Sequence, residues 1–292
     1  MSEFCGHPTA ILDNGFLRVE YLTDMGPRIA RLFSAGSKVN WLVDLPEAVV
    51  NTPYGPFQFM GGHRLWHAPE SLPRTYIPDQ PIATETFTDG IRLSASSEPG
   101  TGIAKTIEIR LPSKAATAVI RHELQNHGLW TIELAPWALT MFRLGGTAIL
   151  PQRVENADPA GLLSNRNLSL WPYTKVLDPR LQMDDDFILV RAQAATPPCK
   201  IGTYNPHGWS GYYLDEKLFV KRYQPEPDAA YPDGGCNTEV YCNDRFLELE
   251  TLGPLVQLAP GETIVHEETW ELYDSLEQAF IPDSLRQRLL KT

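Results

Sequence analysis

The residues best placed to do chemistry are two glutamates in the run Phe246-Leu247-Glu248-Leu249-Glu250-Thr251-Leu252. The run alternates as strands do, with successive side chains on opposite faces. Phe246, Glu248, Glu250 and Leu252 then share one face, and Leu247, Leu249 and Thr251 the other. Residues two apart on a strand have Cα atoms roughly 6–7 Å apart. At that spacing each carboxylate raises the pKa of the other where water is excluded, which suits one of them to act as a general base. On a strand with one wet face the same glutamates are simply solvated, but Phe246 and Leu252 make this face partly apolar.

A second concentration lies in Met60-Gly61-Gly62-His63-Arg64-Leu65-Trp66-His67-Ala68-Pro69-Glu70. Glycine lets the backbone turn sharply or a ligand come close. The imidazole, guanidinium and indole that follow suit a sugar: a guanidinium fork donates to paired hydroxyls, histidine donates or accepts, and tryptophan offers a flat apolar face. The segment reads equally as a loop whose Arg64 makes a structural ion pair and whose Trp66 plugs the core. On a helix His63, His67 and Glu70 would share a side as metal ligands. Gly61-Gly62 and Pro69 leave little room for that helix, so neither a metal nor another cofactor is expected.

Upstream of the glutamates, Thr238-Glu239-Val240-Tyr241 reads as a short strand joined to theirs through Asn243-Asp244. Such a hairpin makes Glu239 a cross-strand neighbour of Glu248 or Glu250, which is destabilising unless a cation or ligand lies between them. Lys221, Arg222 and Arg64 are the candidate compensating charges. Lys221 and Arg222 end a strand with Phe219 and Tyr223, so one of the two faces inward or lines a cleft.

Strands must carry all of these residues. The composition includes 25 prolines and 21 glycines, with few long helical patterns. Asn14-Gly15 between the alternating runs 9–12 and 16–22 is a hairpin signal. Further strands are expected over 28–33, 91–94, 103–111, 118–124, 131–142, 211–214 and 218–223, separated by turn clusters such as Gln125-Asn126-His127-Gly128 and Gly145-Gly146. Asp184-Asp185-Asp186 marks an exposed turn. Many short strands with turns between them indicate a sandwich or barrel. The one helical pattern is the tail 274–292, where Leu276, Ala279, Phe280, Leu285, Leu289 and Leu290 fall near helical spacing around a break at Pro282-Asp283-Ser284. It is expected to pack outside the sandwich without a catalytic role.

The 292 residues fit one domain spanning 1–292. A net charge of −11 opposes nucleic acid and anionic membranes and favours neutral ligands. MSEFCGHPTAIL lacks the basic and apolar regions of a secretion signal, and no apolar run reaches the ~18 residues of a membrane span, so a soluble, cytoplasmic chain is expected. Cys5, Cys199, Cys236 and Cys242 form no C-x-x-C pair. They read as buried thiols, Cys236 with Cys242 across a hairpin being the one alternative. The sequence leaves the oligomeric state open.

Leu249-Glu250-Thr251, the proline after it, Pro260-Gly261-Glu262 and His266-Glu267-Glu268-Thr269-Trp270 resemble the last strands of the galactose mutarotase-like (aldose 1-epimerase) superfamily. The opening meander through Val39-Asn40-Trp41-Leu42 is similar to its first strands. The likeness is closest to an uncharacterised branch that shares Gly61-Gly62-His63-Arg64-Leu65-Trp66. It implies an all-β, galactose mutarotase-like β-supersandwich across nearly the whole chain, with a short C-terminal helical tail and a small-molecule carbohydrate as ligand. It gives Glu250, rather than Glu248, the role of base, and points to His63 and Arg64 as substrate contacts. Trp66, Trp137, Lys221, Glu239 and Glu248 complete the expected contacts. The chain departs from the family over 134–140. There the family carries an N-H-x-Y-F motif whose histidine is the general acid; here Trp137 stands near that place, and an indole supplies no proton at neutral pH. No histidine lies between His127 and His207. His207, in a Pro/Gly loop, is the substitute acid or an ordinary exposed histidine.

Three functions fit these residues. The chain interconverts the anomers of an aldose with Glu250 as base, or recognises a sugar without catalysis on the same scaffold. Alternatively it cleaves a sugar polymer with Glu239 or Glu248 as a second carboxylate. Fold alone does not separate them.

Overall fold

The alternation seen in the sequence becomes burial. Ile103–Arg110 buries Ile103, Lys105, Ile107 and Ile109 and half-exposes the residues between them, and Thr117–Asn126 follows the same period. Strands of this kind cover one face and wet the other. Phe246–Leu252 and most of Ile132–Arg143 are instead buried on both faces. A computed structural model describes residues 2–279 and 281–290; Phe280 and Lys291 of the expected tail lie outside the described residues.

Among the described residues the strands form two antiparallel sheets. The first runs in the order Ser2–Phe4, His7–Asp13, Leu17–Leu22, Arg28–Ser34, Gly55–Ala68, Ile132–Arg143, Phe246–Leu252, Thr238–Cys242, Cys199–Thr203 and Ser169–Leu170. The second is centred on Trp209–Leu214, Lys217–Arg222, Thr263–Tyr273, Thr117–Asn126 and Ile103–Arg110. Side chains of both meet in one apolar layer that includes Leu65, Leu247 and Leu249 from the first sheet and Ile107, Ile120 and Phe219 from the second. This is a β-sandwich with the all-β architecture expected. The 14–15 hairpin joins His7–Asp13 to Leu17–Leu22 as expected, with Asn14 Oδ1 accepting from the backbone N–H of Phe16 and Leu17. Cys199, Cys236 and Cys242 are buried free thiols.

Two expectations change. The glycine-rich segment is part of a strand, Gly55–Ala68, and not a loop. Gly61 and Gly62 have φ of 94° and 72°, and a Cβ on them would lie 1.9 Å from Val43 O and 2.2 Å from Ile29 O. The glycines therefore let neighbouring backbone close in on a bent strand. The tail is helical only over Asp283–Leu289, with a turn at 276–279. Pro282 disfavours helix at the residue before it, and the segment ahead of it is too short to hold a helix alone. Leu276, Ala279, Ile281, Leu285 and Leu289 pack on Phe187, Leu189, Leu218 and Val220, on the outer face of the second sheet. No helix among the described residues is long and apolar enough to cross a membrane.

Candidate functional site

Phe246–Leu252 runs between Ile132–Arg143 and Thr238–Cys242. Its odd-numbered leucines enter the apolar layer between the sheets, so Glu248 and Glu250 face outward, as the alternation predicts. A cavity of about 370 Å³ opens on that outer face. Trp66, Trp137, Trp171, Tyr76 and Tyr173 supply aromatic walls, with Arg64, Lys200 and Glu248 among them. Trp66 packs edge-on against Trp137, with centroids 5.4 Å apart.

Arg64 Nη2 donates to Glu248 Oε1 at 2.7 Å, and the guanidinium lies 4.1 Å over the Trp66 ring. Burial, which outweighs Arg64, and the nearby Glu250 push the Glu248 carboxyl up from its ordinary pKa. Glu250 is fully buried and does not line the cavity. Its Oε2 accepts from Trp137 Nε1 at 2.7 Å and from Lys200 Nζ at 3.1 Å. Its Oε1 has no hydrogen-bond partner among the described residues.

The hairpin sets Glu239 directly opposite Glu250, the like-charge pairing read from the sequence. The cation between them is Lys200, 2.8 Å from Glu239 Oε2 and 3.1 Å from Glu250 Oε2. Its ammonium also sits 4.6 Å over Trp137 and 4.5 Å over Trp171. Burial works against this charge, but Glu239 and then Glu250 outweigh it and hold the lysine pKa well above its ordinary value. Burial pushes Glu239 well up despite Lys200, with Glu250 and Asp233 adding to the rise. Tyr76 is one of the site residues that sequence reasoning missed, and Lys200 is another. Its signal was a lone lysine amid apolar and small residues in Cys199-Lys200-Ile201-Gly202.

The remaining expected contacts lie elsewhere. On a strand His63 and Arg64 must point to opposite faces. His63 turns into the inter-sheet layer, where its Nε2 lies 2.8 Å from His122 Nε2. His122 Nδ1 donates to His266 O at 2.9 Å, so a neutral His122 accepts at Nε2 from His63, and His63 Nδ1 accepts from Thr140 Oγ1 at 2.9 Å. Lys221 also faces this layer: its Nζ is 3.0 Å from Glu268 Oε1 and donates to Leu249 O at 3.1 Å. Thr251 Oγ1 donates to Glu268 and accepts from His266 Nε2 at 2.8 Å, and Trp270 Nε1 donates to Glu268 Oε2 at 2.7 Å. Burial pushes His63 and His122 down, and His266 down to about 3. His207 is an exposed loop residue whose Nε2 donates to Gln152 O at 2.9 Å. It lines a separate cavity with Val220 and Arg222 on the outer face of the second sheet, so both sheets separate it from Glu250.

His63, His67 and Glu70 do not converge, since His67 meets Glu98 at 3.4 Å and Glu70 accepts from Tyr76. Among the described residues, the set that does bring metal-type ligand atoms together is His63, His122 and Glu268, within 4.8 Å of one another. Hydrogen bonds already engage these atoms, and Lys221 supplies the charge that Glu268 needs.

No family model and no curated protein matches the chain. Among solved structures it is similar to a galactose mutarotase-like protein from Lactobacillus casei, with a TM-score of 0.60 at 9% identity over 91% of this chain and 100% of that one. It is also similar to a candidate aldose 1-epimerase from Escherichia coli K12, with a TM-score of 0.60 at 13% identity over 92% and 99%. A TPR-domain containing protein from Parabacteroides distasonis gives 0.63 at 14% identity over 95% of this chain and 49% of that one. Likeness at this level of identity shows a shared fold.

Proposed function

Proceeding from a galactose mutarotase-like β-sandwich, we propose that the chain binds a small-molecule carbohydrate in the aromatic-walled cavity over Glu248. The carrying observation is the combination, within one cavity, of Trp66, Trp137 and Trp171 with the fixed Arg64–Glu248 pair and Lys200. A sugar ring has an apolar C–H face and a rim of hydroxyls, and such cavities hold ligands by apolar contact oriented by a few placed polar groups. Glu248 accepts hydrogen bonds from the hydroxyls, and Arg64 and Lys200 donate to them. Glu250, beneath Trp137 and Lys200, holds those two residues in place, which makes this a recognition site before it is a catalytic one.

A second reading keeps Glu250 as the base of anomeric interconversion, favoured by its buried, unpartnered Oε1, because such an atom is costly unless a ligand or water meets it. Trp137 or Lys200 must then move aside. The proton of the anomeric hydroxyl passes to Glu250 while Glu248, whenever it carries a proton, gives that proton to the ring oxygen and the C1–O bond of the ring breaks; reclosure reverses both transfers. Saturation-transfer and exchange NMR on a panel of free aldoses, with wild type and Glu250→Gln, separates the readings. Binding without faster α/β exchange supports recognition, faster exchange lost in the variant supports the second reading, and no binding of any sugar refutes both.

A further inference from the structure

We infer that the ligand is a glycan of at least two sugar units, the second lying over Trp171 in a groove beside the cavity. This rests on the carbohydrate reading and extends it. Trp171 lines the cavity over Glu248 and also a shallow, open groove formed with Ser169, Leu170, Pro172, Asp233 and Gly234. One face of its indole carries the Lys200 ammonium at 4.5 Å, so the ring is anchored between the two spaces.

The groove is built into the fold. Ser169 Oγ donates to Asp233 O at 2.7 Å and Asn167 Nδ2 to Gly234 O at 3.2 Å, tying the turn 232–235 to the edge strand Ser169–Leu170. Asp233 and Gly234 adopt left-handed φ of 53° and 79°. A Cβ on Gly234 would lie 2.8 Å from Ser169 Oγ, so the turn presses its backbone against the strand. A strained non-glycine residue persists where its surroundings fix it.

The chemistry is continuous with that of the cavity. Leu170 is 38% exposed on the groove, offering apolar surface beside the indole. Asp233 lines the groove, and its carboxyl feels the charge of Lys200, which pairs with Glu239 and lines the cavity. A row of polar groups thus passes beneath an aromatic divider, matching two linked rings that each present an apolar face and hydroxyls. The continuity with the cavity identifies the occupant as a second unit of the same ligand.

The test titrates wild-type protein by calorimetry with paired sugars: glucose with maltose and cellobiose, galactose with β-1,4-galactobiose, mannose with α-1,2-mannobiose. At least one disaccharide is expected to bind about tenfold more tightly than its monosaccharide, as one added aromatic contact allows. Leu170→Arg and, independently, Asp233→Asn bring that ratio close to one. Monosaccharides that bind with no disaccharide binding more tightly overturn the inference and leave the carbohydrate reading standing. If none of these sugars binds, the carbohydrate reading fails and takes the inference with it.

Discussion

Lys200→Met tests whether one buried ammonium holds the site together. Methionine keeps much of the apolar stem between Trp137 and Trp171 while removing the charge that lies 2.8 Å from Glu239 and 3.1 Å from Glu250. Both carboxylates are fully buried, so the variant leaves uncompensated charge in the interior, a loss worth about 3–5 kcal/mol at neutral pH. At roughly 2 °C per kcal/mol for a domain of this size, the melting temperature falls by about 6–10 °C. The loss also has a pH signature. Without Lys200 the Glu239 carboxyl, already pushed up by burial, moves further above the unfolded value of about 4.3. Groups of that kind contribute stability that is present below the unfolded pKa and lost as pH rises through the folded one. The deficit relative to wild type is therefore larger at pH 7.5 than at pH 5. Adding Glu239→Gln removes one of the opposed charges and recovers part of the loss, a coupling that a double-mutant cycle reads directly. Urea unfolding at both pH values is the assay. A deficit below about 1 kcal/mol, or one equal at pH 5 and 7.5, would show that Lys200 does not neutralise this pair.

Two further perturbations probe the outward-facing site and the inter-sheet histidine cluster. Trp137→Phe deletes the 2.7 Å hydrogen bond to Glu250; it is expected to cost about 1.5–3 kcal/mol in denaturant unfolding and to weaken sugar binding in the same NMR titration. Burial pushes His63, His122 and His266 down, so each is neutral when folded and protonated when unfolded below about pH 6.5. Their stabilisation is present above that pH and lost as pH falls, while the raised Glu239 works in the opposite direction. Removing one such proton difference by His122→Gln makes the fall in stability between pH 6.5 and 4.5 shallower by up to about 1.4 kcal/mol per pH unit, measured by urea unfolding across the range.

What could be read from the sequence follows the physics of the strand. Period-two alternation located Glu248 and Glu250 on one face, and turn chemistry at Asn243-Asp244 brought Glu239 beside Glu248 or Glu250, the register then setting it opposite Glu250. The compensating charge was not readable, because Lys200 reaches the pair from a strand some forty residues earlier in the chain. Lys221, the inward member of the pair 221–222, and His63 face the inter-sheet layer and not the cavity for a related reason. Each lies on a strand whose facing depends on its register in the sheet, and reading Gly61-Gly62 as a loop let His63 and Arg64 share a side. In a strand adjacent residues cannot do so. The histidine cluster of the inter-sheet layer was equally hidden, since His63, His122 and His266 come from three strands distant in sequence.

The two polar clusters meet at Phe246–Leu252, which makes the register of that strand doubly specified. Its outward residues Glu248 and Glu250 bond to Arg64, Trp137 and Lys200. Its inward Thr251 joins His266 to Glu268, and its Leu249 carbonyl accepts from Lys221. A shift of one residue would turn both carboxylates into the apolar layer and Leu249 and Thr251 out of it. Each carboxylate would lose its cation and enter a medium in which an unpaired charge is severely penalised. An alternative pairing therefore forfeits stabilisation on both faces at once, whereas an ordinary half-buried strand loses it on one. The buried ion pairs need not add net stability over well-packed apolar residues. Their contribution here is to discriminate between registers, and the same discrimination holds Arg64, Glu248 and Lys200 fixed around the cavity where a ligand is recognised.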